Sequence, residues 1–501
     1  MSLIMGLDLG TSSIKCMMMD ESVRVVSVCS ASYPSLYPHP GWVEQNPAEW
    51  VCAMKKVLAE TSRRVDMKDL SAISLSGHMS GVVLLDREGK PAASCITLSD
   101  CRSDEECREI RDLAGDRIDR NCRNPVINAF SAPKLLWLKK NAPEAFRNAA
   151  VYLAPKDYLR YLLTGRLATE TTDAYNTLLL KSSTCSWDMD LIHTLGLPES
   201  IFPPVRKPFD LAGAVSREAA EKFSLPGGVP VVMGAADMAC GALGIGVTEP
   251  GDAAVTLGTS ATFLMAVKAP SQTGHGRITY HLHALPNCYY ALGSHFNGGL
   301  ALNWLVSQFS ETGEISYKLS DHIAELAARI PNGSNPVLNI PFFVGSGSPY
   351  FNSNDAGAFL NVSQSCRPEY LFKSILEGIS FNLLQTLQIF EEIRGGKLKN
   401  ISLGGGGIRV AGWNQIITDV FGRTTRLVRQ ADASTVGACI LGGYGAGVFQ
   451  DLKAAARRTF SSEAENVPNR AVHEKYRRIF NIYLHAYQAI RQIQQELHTA
   501  L

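Results

Sequence analysis

The string Leu-Gly-Thr-Ser occurs at Leu9–Ser12 and again at Leu257–Ser260, 248 positions apart in a chain of 501 residues. Each copy lies between apolar runs: Leu3, Ile4 and Met5 before the first with Ile14 and Met17 to Met19 after it, and Ala253 to Val255 before the second with Thr262 to Val267 after it. Each therefore reads as two strands joined by a tight turn, and the repeat divides the chain into two halves of one ancestry. Gly10, Thr11 and Ser12 form a turn of bare backbone and short hydroxyls, which suits an anion. Asp8 stands beside the first turn and would repel phosphate unless a cation lay between them, so the pattern points to a Mg2+-phosphate site. The second copy has Thr256 where the first has Asp8. Two phosphate turns, one with a carboxylate, suit a nucleotide held in a cleft between the halves.

Bulk properties narrow the classes. A net charge of +1 gives no global field for nucleic acid or an anionic membrane. No apolar run reaches the roughly 20 residues that cross a bilayer. The N-terminus begins directly as a strand, without a signal-peptide pattern. The 12 cysteines include no C-x-x-C pair, and Cys95, Cys101 and Cys107 are spaced six apart, a poor zinc pattern. A cytoplasmic location with reduced thiols is expected.

Strands are expected at about 4–9, 14–20, 23–31, 72–76 and 230–234. Asn46, Pro47 and Glu49 read as the capped start of a helix running to about 61. Trp42, in a Pro/Gly-rich loop, is either a lid on the core or a wall of a pocket. Gly77-His78-Met79-Ser80-Gly81 reads as a loop pressed close to a ligand or a neighbouring strand. Asp100 and Arg102 fall at the start of a helix near 103–114, where an N-cap and a surface ion pair are the plain expectation. Further helices are expected from Pro133 and over 155–164. Asp237 falls where a strand ends and a helix begins, the rim that lines the crevice in open α/β sheets. A domain boundary is placed at Glu249–Asp252, giving domains 1–248 and 249–501. In the second half, helices are expected at about 298–311, 317–330, 368–394 and 470–498. Gly404–Gly407, between strand 400–403 and a helix ending near 421, would let a flat ring or a phosphate rest on bare backbone. The run lacks the spacing of a dinucleotide fingerprint. Gly437-Ala438, in a helix starting near Asp432, echoes Gly241-Ala242.

The paired turns resemble those of the sugar-kinase, Hsp70 and actin superfamily of ATPases. More specifically, the chain resembles the FGGY carbohydrate kinases, nearest in pattern to the xylulokinases. The resemblance rests on Leu7–Ser12, Trp42–Pro47, Ala132–Trp137, Pro155–Leu159, Asp237, Leu257–Ser260 and Gly405–Gly407 with Arg409, in family order along nearly the whole chain. It implies an α/β fold of two RNase H-like, actin-like domains with mixed sheets flanked by helices, and ATP and sugar meeting in the cleft. It implies Asp237 as catalytic base and Asp8 as the carboxylate of Mg2+. Gly10, Thr11 and Ser12 match the first phosphate loop, Gly258 and Thr259 the second, and Gly405 and Gly406, with Arg409, the adenosine loop. His78, Met79, Ser80 and Asp100 fall on the sugar side with Asp237.

Four segments depart from the xylulokinase pattern. Gly77-His78-Met79-Ser80-Gly81 stands for Gly-Gln-Met-His-Gly, Leu98–Arg102 for Trp-Asn-Asp-Gly-Arg, Asp237-Met238 for Asp-Asn, and Gly345–Pro349 for Gly-Glu-Arg-Thr-Pro. Phosphate-side residues are kept and the acceptor side is altered. The expected activity is ATP-dependent phosphorylation of a ketose or polyol, with D-xylulose the first candidate and L-ribulose, glycerol or a deoxy sugar the alternatives. A nucleotide switch of the actin/Hsp70 type is the alternative from another class. The expected partners are the small-molecule sugar and a second copy of the chain in a homodimer, with neither nucleic acid nor membrane.

Overall fold

The computed structural model describes residues 2–310, 317–428, 432–459 and 464–500. Contacts divide the chain into two units. The first comprises 1–248, 280–289 and 432–460, the second 249–279, 290–431 and 461–501. Two stretches of the second half of the sequence thus fold with the first unit. Asn124 shows how one is held: its side chain bonds both the backbone N–H and C=O of Tyr280, each at 2.7 Å.

The first unit is built on strands β1 (Leu3–Leu9), β2 (Ser13–Asp20), β3 (Val25–Ser32), β4 (Leu70–Gly77), β5 (Leu211–Ala214) and β6 (Pro230–Ala236), in the spatial order β5-β6-β4-β1-β2-β3. β1 and β2 form the expected hairpin, while β1, β4 and β6 run parallel. Asp8 pairs in register with Ser76, and Ala235 with Ser76 from the other side. The C-terminal ends of three parallel strands are therefore level, and each leads into a segment singled out above.

A register shift between Val232 and Ala235 brings β6 into this alignment. Gly234 makes it feasible: φ is +78°, and a Cβ there would lie 1.8 Å from the carbonyl oxygen of Leu75. Only glycine fits a left-handed backbone against another strand's carbonyl.

Met5, Leu7, Met18, Ile73, Leu75 and Val231 bury one face of this sheet with Trp50, Met54, Val57 and Leu58 of the helix Pro47–Arg64. Asn46 caps that helix through a bond from the Ala48 N–H at 3.0 Å. The helix expected near 103–114 is longer, Asp104–Cys122, and Ser103 rather than Asp100 is at its N-cap position. The helix expected from Pro133 starts two residues earlier, at Ser131, where the backbone N–H groups of Ser131 and Ala132 bond the carbonyls of Asn176 and Thr177.

The second unit repeats the pattern with β7 (Asp252–Leu257), β8 (Ala261–Val267), β9 (Tyr289–His295), β10 (Asn400–Gly404), β11 (Thr425–Leu427) and β12 (Ala464–Asn466), in the order β9-β8-β7-β10-β11-β12. β7 and β8 form a hairpin, and β7, β10 and β11 run parallel, as β1, β4 and β6 do. The helix Pro368–Arg394 buries an apolar stripe of Ile375, Leu376, Ile379, Leu383 and Leu387, with Leu371 half-buried at its start. Helices follow at Gly299–Gln308, Tyr317–Arg329 and Arg470–Ala500; residue 311 of the expected 298–311 lies outside the described residues. No helix among the described residues is long and apolar enough to cross a membrane.

Candidate active site

The turn between β1 and β2 is fastened through its carbonyls. The Gly10 C=O accepts from the Tyr33 hydroxyl, the Thr11 C=O from Gln45 Nε2 at 2.6 Å, and the Ser12 C=O from the Tyr33 N–H at 3.1 Å. Thr11 and Ser12 are exposed, and among the described residues their N–H groups have no backbone or side-chain acceptor. With its carbonyls turned inward and its donors outward, the turn is a ready anion cradle.

The turn between β7 and β8 follows the same logic. Gly258 O accepts from the Gly299 N–H at 2.8 Å, Thr259 O from the Leu300 N–H at 3.0 Å, and Ser260 O from the Gly258 N–H at 2.8 Å. Gly258, Thr259 and Ser260 are exposed. Gly405, which follows β10, has φ +84°, and a Cβ there would lie 2.4 Å from Leu257 O at the base of this turn. A Cβ at Gly406 would meet nothing within 4 Å, and Gly406 and Arg409 are exposed on a single 3-10 turn, Gly406–Arg409. The helix expected to follow directly starts later, at Trp413.

Asp8 is buried. Its Oδ2 accepts from Ser434 Oγ at 2.7 Å, while its Oδ1 has no hydrogen-bond partner among the described residues. Burial raises its pKa, with Ser434, Ser76 and Lys15 opposing the rise and Asp432 adding to it. Asp432 is itself paired with Lys15. A buried carboxylate oxygen without a donor is what a hard cation satisfies. Mg2+ keeps most of its waters and takes one or two protein carboxylates, so Asp8 fits it. Ser434 was not singled out from the sequence, because nothing local ties it to a residue 426 positions away.

Asp237 is half-buried at the start of the helix Asp237–Gly244, directly after β6. Its Oδ1 accepts the Met238 N–H at 2.7 Å, and the Met79 N–H also bonds the carboxylate. Its pKa is pushed up to about 7, first by burial and then by the charge of Asp8. The geometry brings Asp8, Asp237 and the 77–81 loop together at one end of the first unit's sheet.

Within that loop, His78 is buried and lies edge-on to Trp50 with ring centroids 5.6 Å apart. Its pKa is lowered to about 4 by burial and by Lys134, so the imidazole is neutral, and its Nε2 has no partner among the described residues. Met79 is buried. Ser80 has φ +63°, and its hydroxyl reaches the Asn176 carbonyl at 3.5 Å. Lys134, also buried, donates to the carbonyls of Ser80 at 3.2 Å and Phe130 at 3.3 Å. Asn176 Oδ1 contacts His281 Nδ1 at 2.6 Å, and the His281 ring stacks on Phe130. Lys134, Asn176 and His281 join the residues packed around this loop, and their separation in sequence hid them.

Asp100 lies near enough to Lys134 for its charge to act on that ammonium. It is fully buried, and both oxygens are taken. Oδ1 accepts from the Arg102 backbone and Nε, and Oδ2 from the Val43 N–H at 2.6 Å and Arg102 Nη2 at 2.7 Å. The ion pair expected at the surface is internal. Arg102 also pairs with Glu44 at 2.8 Å, and its guanidinium lies 3.7 Å from the Trp42 ring centroid and 4.9 Å from that of Trp137. Asp100 thus holds the Trp42 loop in place.

Residues 3–244 match the N-terminal domain, and residues 253–446 the C-terminal domain, of the FGGY family of carbohydrate kinases. A xylulose kinase of Staphylococcus epidermidis is 31% identical over 498 residues, 99% of this chain and 98% of that protein. A xylulose kinase of Bacillus subtilis is 30% identical over 503 residues, 100% of this chain and 99% of that protein. The crystal structure of a xylulose kinase from Rhodospirillum rubrum superposes with a TM-score of 0.89 at 27% identity, covering 98% of this chain and all of the other.

Proposed function

Since the chain belongs to the FGGY family of carbohydrate kinases and has its two-domain, actin-like fold, we propose that it transfers the γ-phosphoryl group of ATP to a hydroxyl of a ketose, D-xylulose before other polyols, with Asp237 as general base. The observation that carries this is the state of Asp237. It is half-buried at a strand end, held by two backbone amides, with its pKa pushed up to about 7. A sugar hydroxyl is a weak nucleophile at pH 7. A carboxylate within hydrogen-bond reach accepts its proton as the bond to phosphorus forms, and a base with a pKa near the working pH is the effective one.

The exposed N–H groups and hydroxyls of Thr11 and Ser12 would receive phosphoryl oxygens, and their fixed orientation means that little reorganisation accompanies the reaction. Thr259 would do the same in the second unit, with Gly258 giving bare backbone beside it, while Gly405, Gly406 and Arg409 would accept the adenosine. Asp8 would hold Mg2+, which supplies positive charge against the phosphoryl oxygens. The neutral His78 offers Nε2 to the acceptor, and Ser80 and Met79 shape the floor beside it. D-Xylulose takes first place because relatives matching the whole chain are named xylulose kinases. The altered 77–81 loop keeps other polyols in the test.

The experiment is a coupled ADP assay with D-xylulose, L-ribulose, hexuloses and glycerol at fixed Mg-ATP. A kcat/KM for D-xylulose at least tenfold above every other acceptor supports the reading. A higher value for another acceptor reassigns the substrate.

A further inference from the structure

Five ionisable side chains of the first unit are fully buried and take no part in the chemistry above: Lys156, Asp157, Arg160, Glu170 and Asp173. Lys156 Nζ lies 2.8 Å from Asp157, 2.9 Å from Asp173 and 3.2 Å from Glu170, and Arg160 pairs with Asp157. Three acids thus face two cations, and burial holds the Asp173 carboxyl well above the usual range. Well-packed apolar residues often match or exceed a buried ionic cluster in stability. Stability alone is therefore a weak reason for this one.

The cluster leads to the active site by two routes. Glu170 accepts from both the N–H and the hydroxyl of Thr172, each at 2.7 Å. With its proton committed to Glu170, the Thr172 hydroxyl presents a lone pair, which accepts the Ala236 N–H at 2.9 Å. Ala236 is the residue directly before Asp237. On the other route, a Cβ at Gly77 would lie 2.8 Å from the Lys156 Cβ, and one at Gly81 2.5 Å from the Pro155 ring. The loop whose Met79 N–H bonds Asp237 is thus seated at both ends on the helix Pro155–Thr164.

We propose that Thr172, locked by Glu170 and Lys156, is a positioning residue that fixes the peptide aiming Asp237. The inference rests on Asp237 being the base. Thr172→Val keeps the side chain's shape and removes its hydroxyl. With whichever of D-xylulose, L-ribulose and glycerol the wild type turns over fastest, kcat falls about 30-fold or more while KM for ATP stays within about twofold. Thr172→Ser recovers to within about threefold of wild type. A readout independent of any acceptor is amide hydrogen exchange of the peptide 230–238, expected to be at least about tenfold faster in Thr172→Val and near wild type in Thr172→Ser.

A folded Thr172→Val enzyme with wild-type kcat and exchange overturns the proposal, as does a Thr172→Ser enzyme as impaired as Thr172→Val. Should Thr172→Val fail to fold, Thr172→Ala replaces it. That variant also removes the hydroxyl that accepts the Ala236 N–H, and unchanged kcat and exchange there overturn the proposal equally. Asp237→Asn separates the two layers. If it stays active, the assignment of the base fails; if it is dead while Thr172→Val is unimpaired, only the positioning role fails.

Discussion

Gly437→Ala is expected to damage both the stability and the turnover of this kinase. The helices Asp237–Gly244 and Ala433–Gly445 cross within the first unit, and a Cβ at Gly437 would lie 1.9 Å from Cys240 O and 2.5 Å from Cys240 C. Ordinary contact begins at 3.4 Å, so the helices must part by about 1.5 Å, and no rotamer relieves a clash between backbones. Overpacking of this kind costs about 3 kcal/mol. Replacing glycine within a helix returns about 1 kcal/mol. The remaining loss of about 2 kcal/mol lowers Tm by about 4–8 °C for a unit of this size. One of these helices begins with Asp237 and the other carries Ser434, which bonds Asp8. A displacement above 1 Å between such groups reduces kcat about 100-fold.

The control is Gly241→Ala, one turn after Asp237, where a Cβ would meet nothing within 4 Å. Its Tm should hold or rise. Differential scanning fluorimetry and the coupled ADP assay read both variants. Wild-type Tm and kcat in Gly437→Ala would refute the reasoning, because the close crossing could not then be what holds the two carboxylates in place.

Other outcomes follow from the charges. Asp237 must be ionised to act as base, so kcat/KM should climb with pH through about 7 and level off above it, in a profile taken from pH 5 to 9. Arg102→Met leaves Asp100 buried with only the backbone N–H groups of Val43 and residue 102 as donors and no countercharge from the guanidinium, and should cost about 3–5 kcal/mol in urea-induced unfolding. Asp173 has a folded pKa raised above its unfolded value, so its favourable contribution is complete below the unfolded pKa near 3.8 and fades as pH rises. Asp173→Asn keeps the uncharged form at all pH values, and its Tm relative to wild type should therefore grow from pH 5 to pH 9.

The repeated Leu-Gly-Thr-Ser turn was legible because a hairpin writes its apolar periods and its turn residues locally, and both copies form hairpins between the expected strands. Asp237 was legible for a similar reason, as a carboxylate at a junction of strand and helix. The Asp100–Arg102 pair was misread as exposed, because burial depends on Trp42 and Trp137, which stack on Arg102 from distant segments. Ser434, Asn176 and His281 are set by partners 96 to 426 residues away, and no local pattern announces such pairings; the cluster around Lys156 is nearer in sequence but depends on a helix and the following segment folding back on each other. The Gly-Ala echo marks common descent and gives no sign that Gly437 packs against Cys240 of the Asp237 helix.

The central claim is that the carboxylate of residue 237 takes the proton of the acceptor hydroxyl. Asp237→Asn, nearly identical in shape, should bind Mg-ATP within about twofold of wild type in isothermal titration and yet form ADP at least about 1,000-fold more slowly with D-xylulose in a single-turnover assay. Turnover within tenfold of wild type, with ATP binding intact, would contradict it.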